Sequence, residues 1–156
     1  MKEQKDLHQR NKLPYEIPPW VQQGARHFIT INCRERGSNS PCKQNIAGCL
    51  LESASYYEKI SHWYIWIMVI MPDHLHFIAA FNFADGLQAV IKTWKKYQTR
   101  NPHIEWQTDF FEHRLRNDNE LIEKMQYVRM NPVRNGLVDS SNEWPFMYIA
   151  DCNLFL

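Results

Sequence analysis

The sequence predicts an α+β domain in which an antiparallel sheet carries helices packed on it. Three observations point there. The run "HWYIWIMVI" is apolar on both faces, as a strand buried on both sides must be. It ends in the turn residues Pro72 and Asp73 and is followed by a second apolar run, so the two form a hairpin. Segments of helical period separate the strands in the order strand, helix, two strands, helix, strand, helix.

Each element has a local reason. "ARHFITINCR" alternates around Phe28, Ile29, Thr30 and Ile31 and reads as the first strand. "RGSNSPCK" is a loop by composition. "NIAGCLLESASYYEKI" suits a helix with Ile46, Leu50 and Leu51 on one side, although Gly48 weakens it. After the hairpin, Asp85 is placed to cap a helix in which Leu87, Val90, Ile91 and Trp94 fall at i, i+3, i+4 and i+7. "EWQTDFFEHRLR" reads as a further strand. "NDNE", Asn117 to Glu120, resembles a capping box opening a last helix that runs to Asn131 and stops at Pro132.

The 156 residues suit one domain, long enough to bury about two-thirds of the unfolded surface. Residues 1–23 are polar and Pro-broken and read as a flexible arm without an apolar signal core. The longest apolar run, Trp63 to Met71, is far shorter than the roughly 20 residues a spanning helix needs. A cytoplasmic location with no membrane partner is expected. The net charge of +1 gives no global field for nucleic acid, so any such role rests on local patches. Cys33, Cys42, Cys49 and Cys152 form no Cys-x-x-Cys pair and read as reduced thiols.

Side chains two apart on a strand share a face, so His74, His76, Ile78 and Ala80 point one way. Either two imidazoles are buried with hydrogen-bond partners, or they converge on a metal ion. With seven histidines in the chain, chance supplies about 0.3 such pairs. Neutral imidazole binds many divalent ions, so the pair names none. A cupin-like barrel also uses such pairs, but five glycines and three predicted helices oppose an all-β fold.

On the last helix, stepping about 100° per residue, Leu121, Ile122, Met125 and Val128 form the stripe that packs on the sheet. Tyr127 and Asn131 fall on one flank beside Glu120 and Lys124, as i and i+4 neighbours. By spacing alone, Tyr127 reads as an amphipathic tyrosine with its hydroxyl in water.

"MPDHLHF" resembles the His-hydrophobic-His motif of single-strand DNA transposases, and "YVRMNPVRNGLV" resembles their tyrosine helix. With "FITINCRER" and "WQTDFFEHRLRNDNEL", the pattern over Gly24 to Asp151 is similar to the REP-associated tyrosine transposases. The resemblance implies a ferredoxin-like α+β fold and a single catalytic domain over residues 24–156. It implies nicking and rejoining of single-stranded DNA at short palindromic hairpins through a 5′-phosphotyrosine. Tyr127 matches the nucleophile. His74 and His76 match two ligands of a divalent ion, Mg²⁺ or Mn²⁺, and Asn131 falls where relatives place a polar third ligand. Two departures stand out. The chain has "EWPFMY" where the family often has a Trp-Ser-Ser-Tyr-like segment, and its net charge is low for a DNA enzyme.

The residue types suit that chemistry. A metal ion on a phosphodiester oxygen acts as a Lewis acid, and a tyrosine hydroxyl can hold the phosphoryl group covalently. No nucleotide cofactor is needed, and no glycine-rich phosphate loop is present. For phosphate contacts, Lys92, Lys95, Lys96 and Arg100 fill the polar side of their helix, and Arg114 and Arg116 are weaker candidates. A solvated lysine face is the plainer reading. Trp63, Trp66, Trp94 and Trp106 can stack on bases, although core packing suits most of them. The rivals are a domesticated, non-catalytic DNA-binding protein of the same fold, against which intact His74, His76 and Tyr127 speak, and a zinc hydrolase, for which no general-base motif is found. Monomer and homodimer stay open.

Overall fold

Five strands form one sheet: β1 (Arg26–Asn32), β2 (Trp63–Ile70), β3 (His74–Phe81), β4 (Phe111–Leu115) and β5 (Met147–Ile149). The structure, a computed structural model, describes residues 20–21, 24–35, 41–82, 84–100 and 104–150. The strand order is β4-β1-β3-β2-β5, and every pairing is antiparallel. The helices are α1 (Gln44–Lys59), α2 (Leu87–Arg100), α3 (Asp118–Arg129) and the short α4 (Asn131–Arg134). The run β1-α1-β2-β3-α2-β4, with its strands ordered β4-β1-β3-β2, is the ferredoxin-like arrangement, and β5 extends it beyond β2.

The sheet is covered on both sides, which is why all eight residues of β2 are buried. On one face, Ile29, Ile31, Leu75 and Phe77 meet Leu50 of α1 and Trp94 of α2. On the other, Phe28, Ile67, Ile78 and Ala80 meet Leu121, Met125 and Val128 of α3. Fully burying each Leu, Ile, Val, Phe or Met side chain among them is worth about 1.5–3 kcal/mol. A register shift between Ile65 and Ile67 sets Trp66 and Ile67 both toward α3, which strict alternation does not allow. Trp63, Trp66, Trp94 and Trp106 are all buried in these two cores.

Four local expectations need correcting. Asp85 does not cap α2: its carboxylate binds His62 Nδ1 at 2.7 Å, and Gly86, at φ 79°, leads into a helix starting at Leu87. The strand expected over 105–116 is confined to Phe111–Leu115, with an isolated bridge between Trp106 and Cys33. The box at Asn117 is half formed. Asn117 accepts from the Glu120 backbone at 2.9 Å, but the Glu120 carboxylate accepts from Arg116 N at 2.7 Å. The last helix ends at Arg129 instead of continuing to Asn131, and Pro132 sits in the first turn of α4, where its missing N–H costs nothing. β5 was not anticipated.

Of the expected N-terminal arm, residues 1–19 and 22–23 lie outside the described residues, as does Cys152. Val21 is buried against the α3-side core. Among the described residues, no helix is long and apolar enough to cross a membrane.

Candidate active site

The pleat of β3 turns His74 and His76 toward α3, as its period requires. Each imidazole is fixed through Nδ1. His74 donates to Asp73 Oδ1 at 2.8 Å. His76 meets the Thr30 hydroxyl at 2.8 Å, Thr30 being its register partner on β1. When His76 Nδ1–H is the donor, its Nε2 carries the lone pair. The ring centroids lie 4.7 Å apart. Phe28 stacks on His76 at 5.4 Å. Burial, reinforced by His74 and then by Lys124 and Arg134, holds His76 down at about 3, far below the usual imidazole range. It is therefore neutral at physiological pH, the form that can bind a cation.

Tyr127 projects from α3 beside this pair and is 44% exposed. Its ring stands edge-on to Phe28 at 6.2 Å and lies 6.3 Å from His76. Two cations flank it. Lys124 Nζ is 4.9 Å and Arg134 Cζ 4.3 Å from the ring centroid. The Arg134 guanidinium also donates to the Tyr127 carbonyl. Lys124 is legible as a flank neighbour three residues before Tyr127. Arg134 was missed, because it reaches Tyr127 only where the chain re-enters a helix after Met130. Thr30 and Asp73 were missed as holders of the histidines, although Asp73 is adjacent to His74 in sequence.

Asn131 does not share the helix of Tyr127, as the single-helix expectation had it. It opens α4, is 4% exposed, and its Oδ1 accepts from Asn135 Nδ2 at 2.6 Å. Among the described residues, no group of three or more His, Cys, Asp or Glu is placed to hold a metal ion.

The six expected DNA contacts do not gather at this site. Helix α2 buries Val90, Ile91 and Trp94 on the opposite face of the sheet, which puts Lys92, Lys95, Lys96 and Arg100 on that side. Lys92, Lys96 and Arg100 are exposed. Lys95 is tied down instead, with Nζ donating to the Gln107 and Thr108 carbonyls at 2.8 and 2.9 Å, and burial lowers its pKa. Arg114 pairs in register with His27, and the β4 alternation turns it away from the α3 face. Arg116 is paired with Glu120 at 3.1 Å.

Comparison with known proteins gives a consistent picture. No family model matches the chain. It is 27% identical over 128 residues to the REP-associated tyrosine transposase of Escherichia coli K12, covering 79% of this chain and 75% of that protein. A Haemophilus influenzae protein matches at 27% over 143 residues, covering 79% and 78%. Among solved structures, the REP-associated tyrosine transposase bound to a REP hairpin superposes with a TM-score of 0.63 at 26% identity, covering 80% of this chain and 76% of that one. A Deinococcus radiodurans structure at 11% identity, with a TM-score of 0.50, shares the fold. The resemblance to the REP-associated tyrosine transposases thus holds in sequence and in fold.

Proposed function

We propose that this chain nicks and rejoins single-stranded DNA at short palindromic hairpins, with Tyr127 as the nucleophile. The observation that carries the reading is the placement of an exposed Tyr127 between two cations and beside a fixed pair of histidines. The hairpin-bound relative supports the choice of substrate class.

In the proposed reaction, Tyr127 Oη attacks the phosphorus in line. An Oη–P bond forms as the P–O3′ bond breaks. The phenolic proton passes to water, and the departing oxygen is protonated to a 3′-hydroxyl. A 3′-hydroxyl attacking the phosphotyrosine reverses the sequence, restores the phosphodiester and frees Tyr127. The bond energy is conserved, so no nucleotide cofactor is consumed. Lys124 and Arg134 put positive charge where the phosphate oxygens must approach. The interaction of Arg134 with the Tyr127 carbonyl orients the end of α3 that carries the nucleophile.

The donor set fits a divalent ion, Mg²⁺ or Mn²⁺. Two imidazoles are held at Nδ1, and Asn131 Oδ1, already accepting from Asn135, keeps a second lone pair. His74, His76 and Asn131 would hold the ion, with water and substrate completing its shell. When bound, such an ion supplies Lewis-acid stabilisation of the phosphate oxygens.

The test is a labelled hairpin oligonucleotide with single-stranded flanks, incubated with the protein and Mn²⁺. A denaturation-resistant adduct is expected, and Tyr127→Phe should abolish it. His74→Ala, His76→Ala and EDTA should each prevent the adduct while leaving DNA binding mostly intact. An adduct of undiminished yield in Tyr127→Phe would overturn the assignment, and binding without any adduct would favour the non-catalytic DNA-binding protein.

A further inference from the structure

Tyr127 is not the only exposed ring on its face of the sheet. Phe111, on the edge strand β4, is 54% exposed. It stands in register opposite Thr30, the residue that holds His76, and on the same face as Phe28. The buried Phe28 links the two exposed rings. Phe111 meets it edge-on at 6.1 Å and Tyr127 edge-on at 6.2 Å, so the two exposed ring centroids lie no more than about 12 Å apart. Lys124 Nζ lies 4.8 Å from the Phe28 centroid and 4.9 Å from that of Tyr127.

We infer that Phe111 is a stacking platform for an unpaired DNA base next to the phosphate that Tyr127 attacks. This rests on the proposed function and extends it to a specificity-determining residue. A base can lie on Phe111 only when it is unpaired, because pairing within a duplex hides its face in the stack. The Lys124 ammonium supplies a counter-charge for the adjoining phosphate.

The surface beyond Phe111 gives the strand somewhere to go. A cleft of about 1320 Å³ counts Phe111 in its lining together with Lys92 and Lys96 of α2. Three acids, Glu105, Asp109 and Glu112, also line it, with Glu105 paired to Arg34 at 3.3 Å and Glu112 to His27 at 2.6 Å. A single strand that leaves Phe111 along this cleft would meet those lysines, which belong to the helix on the opposite face of the sheet from Tyr127.

The experiment uses the full chain and a single-stranded dT oligonucleotide carrying one 2-aminopurine, with the duplex form as control. Stacking on Phe111 should quench the single-stranded probe and not the duplex. Phe111→Leu should remove the quenching and weaken single-strand binding by roughly 5- to 150-fold, and Phe111→Trp should restore both. Thermal stability should hold in both variants, because the side chain is exposed. Equal quenching and affinity in Phe111→Leu would overturn the platform, as would failure of Trp to rescue. The Tyr127 adduct is assayed in parallel on hairpin DNA. An adduct with unchanged quenching in Phe111→Leu removes the platform alone, whereas Phe111-dependent quenching without any adduct removes the catalytic reading and leaves a single-strand binding site.

Discussion

Thr30 stands directly across from His76 in the β1–β3 register, and its hydroxyl meets His76 Nδ1 at 2.8 Å. The contact satisfies a polar atom of a side chain that is only 8% exposed, and with His76 Nδ1–H as the donor it leaves the Nε2 lone pair free.

Replacing Thr30 tests that coupling. Thr30→Val keeps the shape but removes the hydroxyl, leaving His76 Nδ1 buried without its partner. Stability should fall by about 1–3 kcal/mol. Mn²⁺ affinity, measured by calorimetry on the folded protein, should fall roughly 10- to 100-fold. Thr30→Ser should recover most of both. Unchanged metal affinity in the valine variant would separate Thr30 from the site.

The lysines of α2 should divide into two classes. Lys92→Ala and Lys96→Ala should weaken binding across DNA sequences and flatten the salt slope by about 0.7 per lost contact on single strands. Lys95→Met should leave that slope unchanged and lower stability by about 1–2 kcal/mol, because its ammonium holds the Gln107 and Thr108 carbonyls. A salt-slope change from Lys95→Met matching the others would return it to the phosphate-binding set.

Asn131 offers two separable outcomes. As a ligand, Asn131→Ala should weaken Mn²⁺ binding and slow cleavage beyond any loss of folded protein, and Asn131→Asp should partly restore both. As a structural residue, holding Asn135 at the start of α4, Ala should lower stability by about 0.5–2 kcal/mol and leave metal affinity unaltered.

Cys42 reports on the turn that carries the histidines. Burial, with Cys33 and Asp73 adding to it, pushes its thiol from 9.0 up to about 12, and its Sγ–H donates to the Ile70 carbonyl at 3.6 Å. The folded protein thus keeps this proton after the unfolded chain has lost it. Its contribution to stability is complete below pH 9 and declines as pH rises from 9 toward 12. At pH 8.5, iodoacetamide should modify Cys42 slowly in the native protein and readily in urea, read by mass spectrometry of the Cys42 peptide. Equal rates in both would contradict the burial assignment.

The sequence by itself determined what depends on local period. A strand alternates every two residues, so "HLH" already commits His74 and His76 to one face. Apolarity on both faces of "WYIWIMVI" committed β2 to a covered, central position, and Leu121, Met125 and Val128 committed α3 to pack through the face that leaves Tyr127 on its flank. Tertiary structure decided everything that compares distant segments. It put the lysine helix and the tyrosine helix on opposite faces of the sheet, since an amphipathic stripe says that a helix packs but not on which side. It turned Lys95 inward to carbonyls twelve and thirteen residues away. It broke the last helix at Met130, so that Asn131 became buried while Tyr127 stayed open and Arg134 came back over its ring. Those outcomes are set by which surfaces exclude water together and which buried polar groups find partners, and neither quantity is contained in the spacing of residues along a single segment.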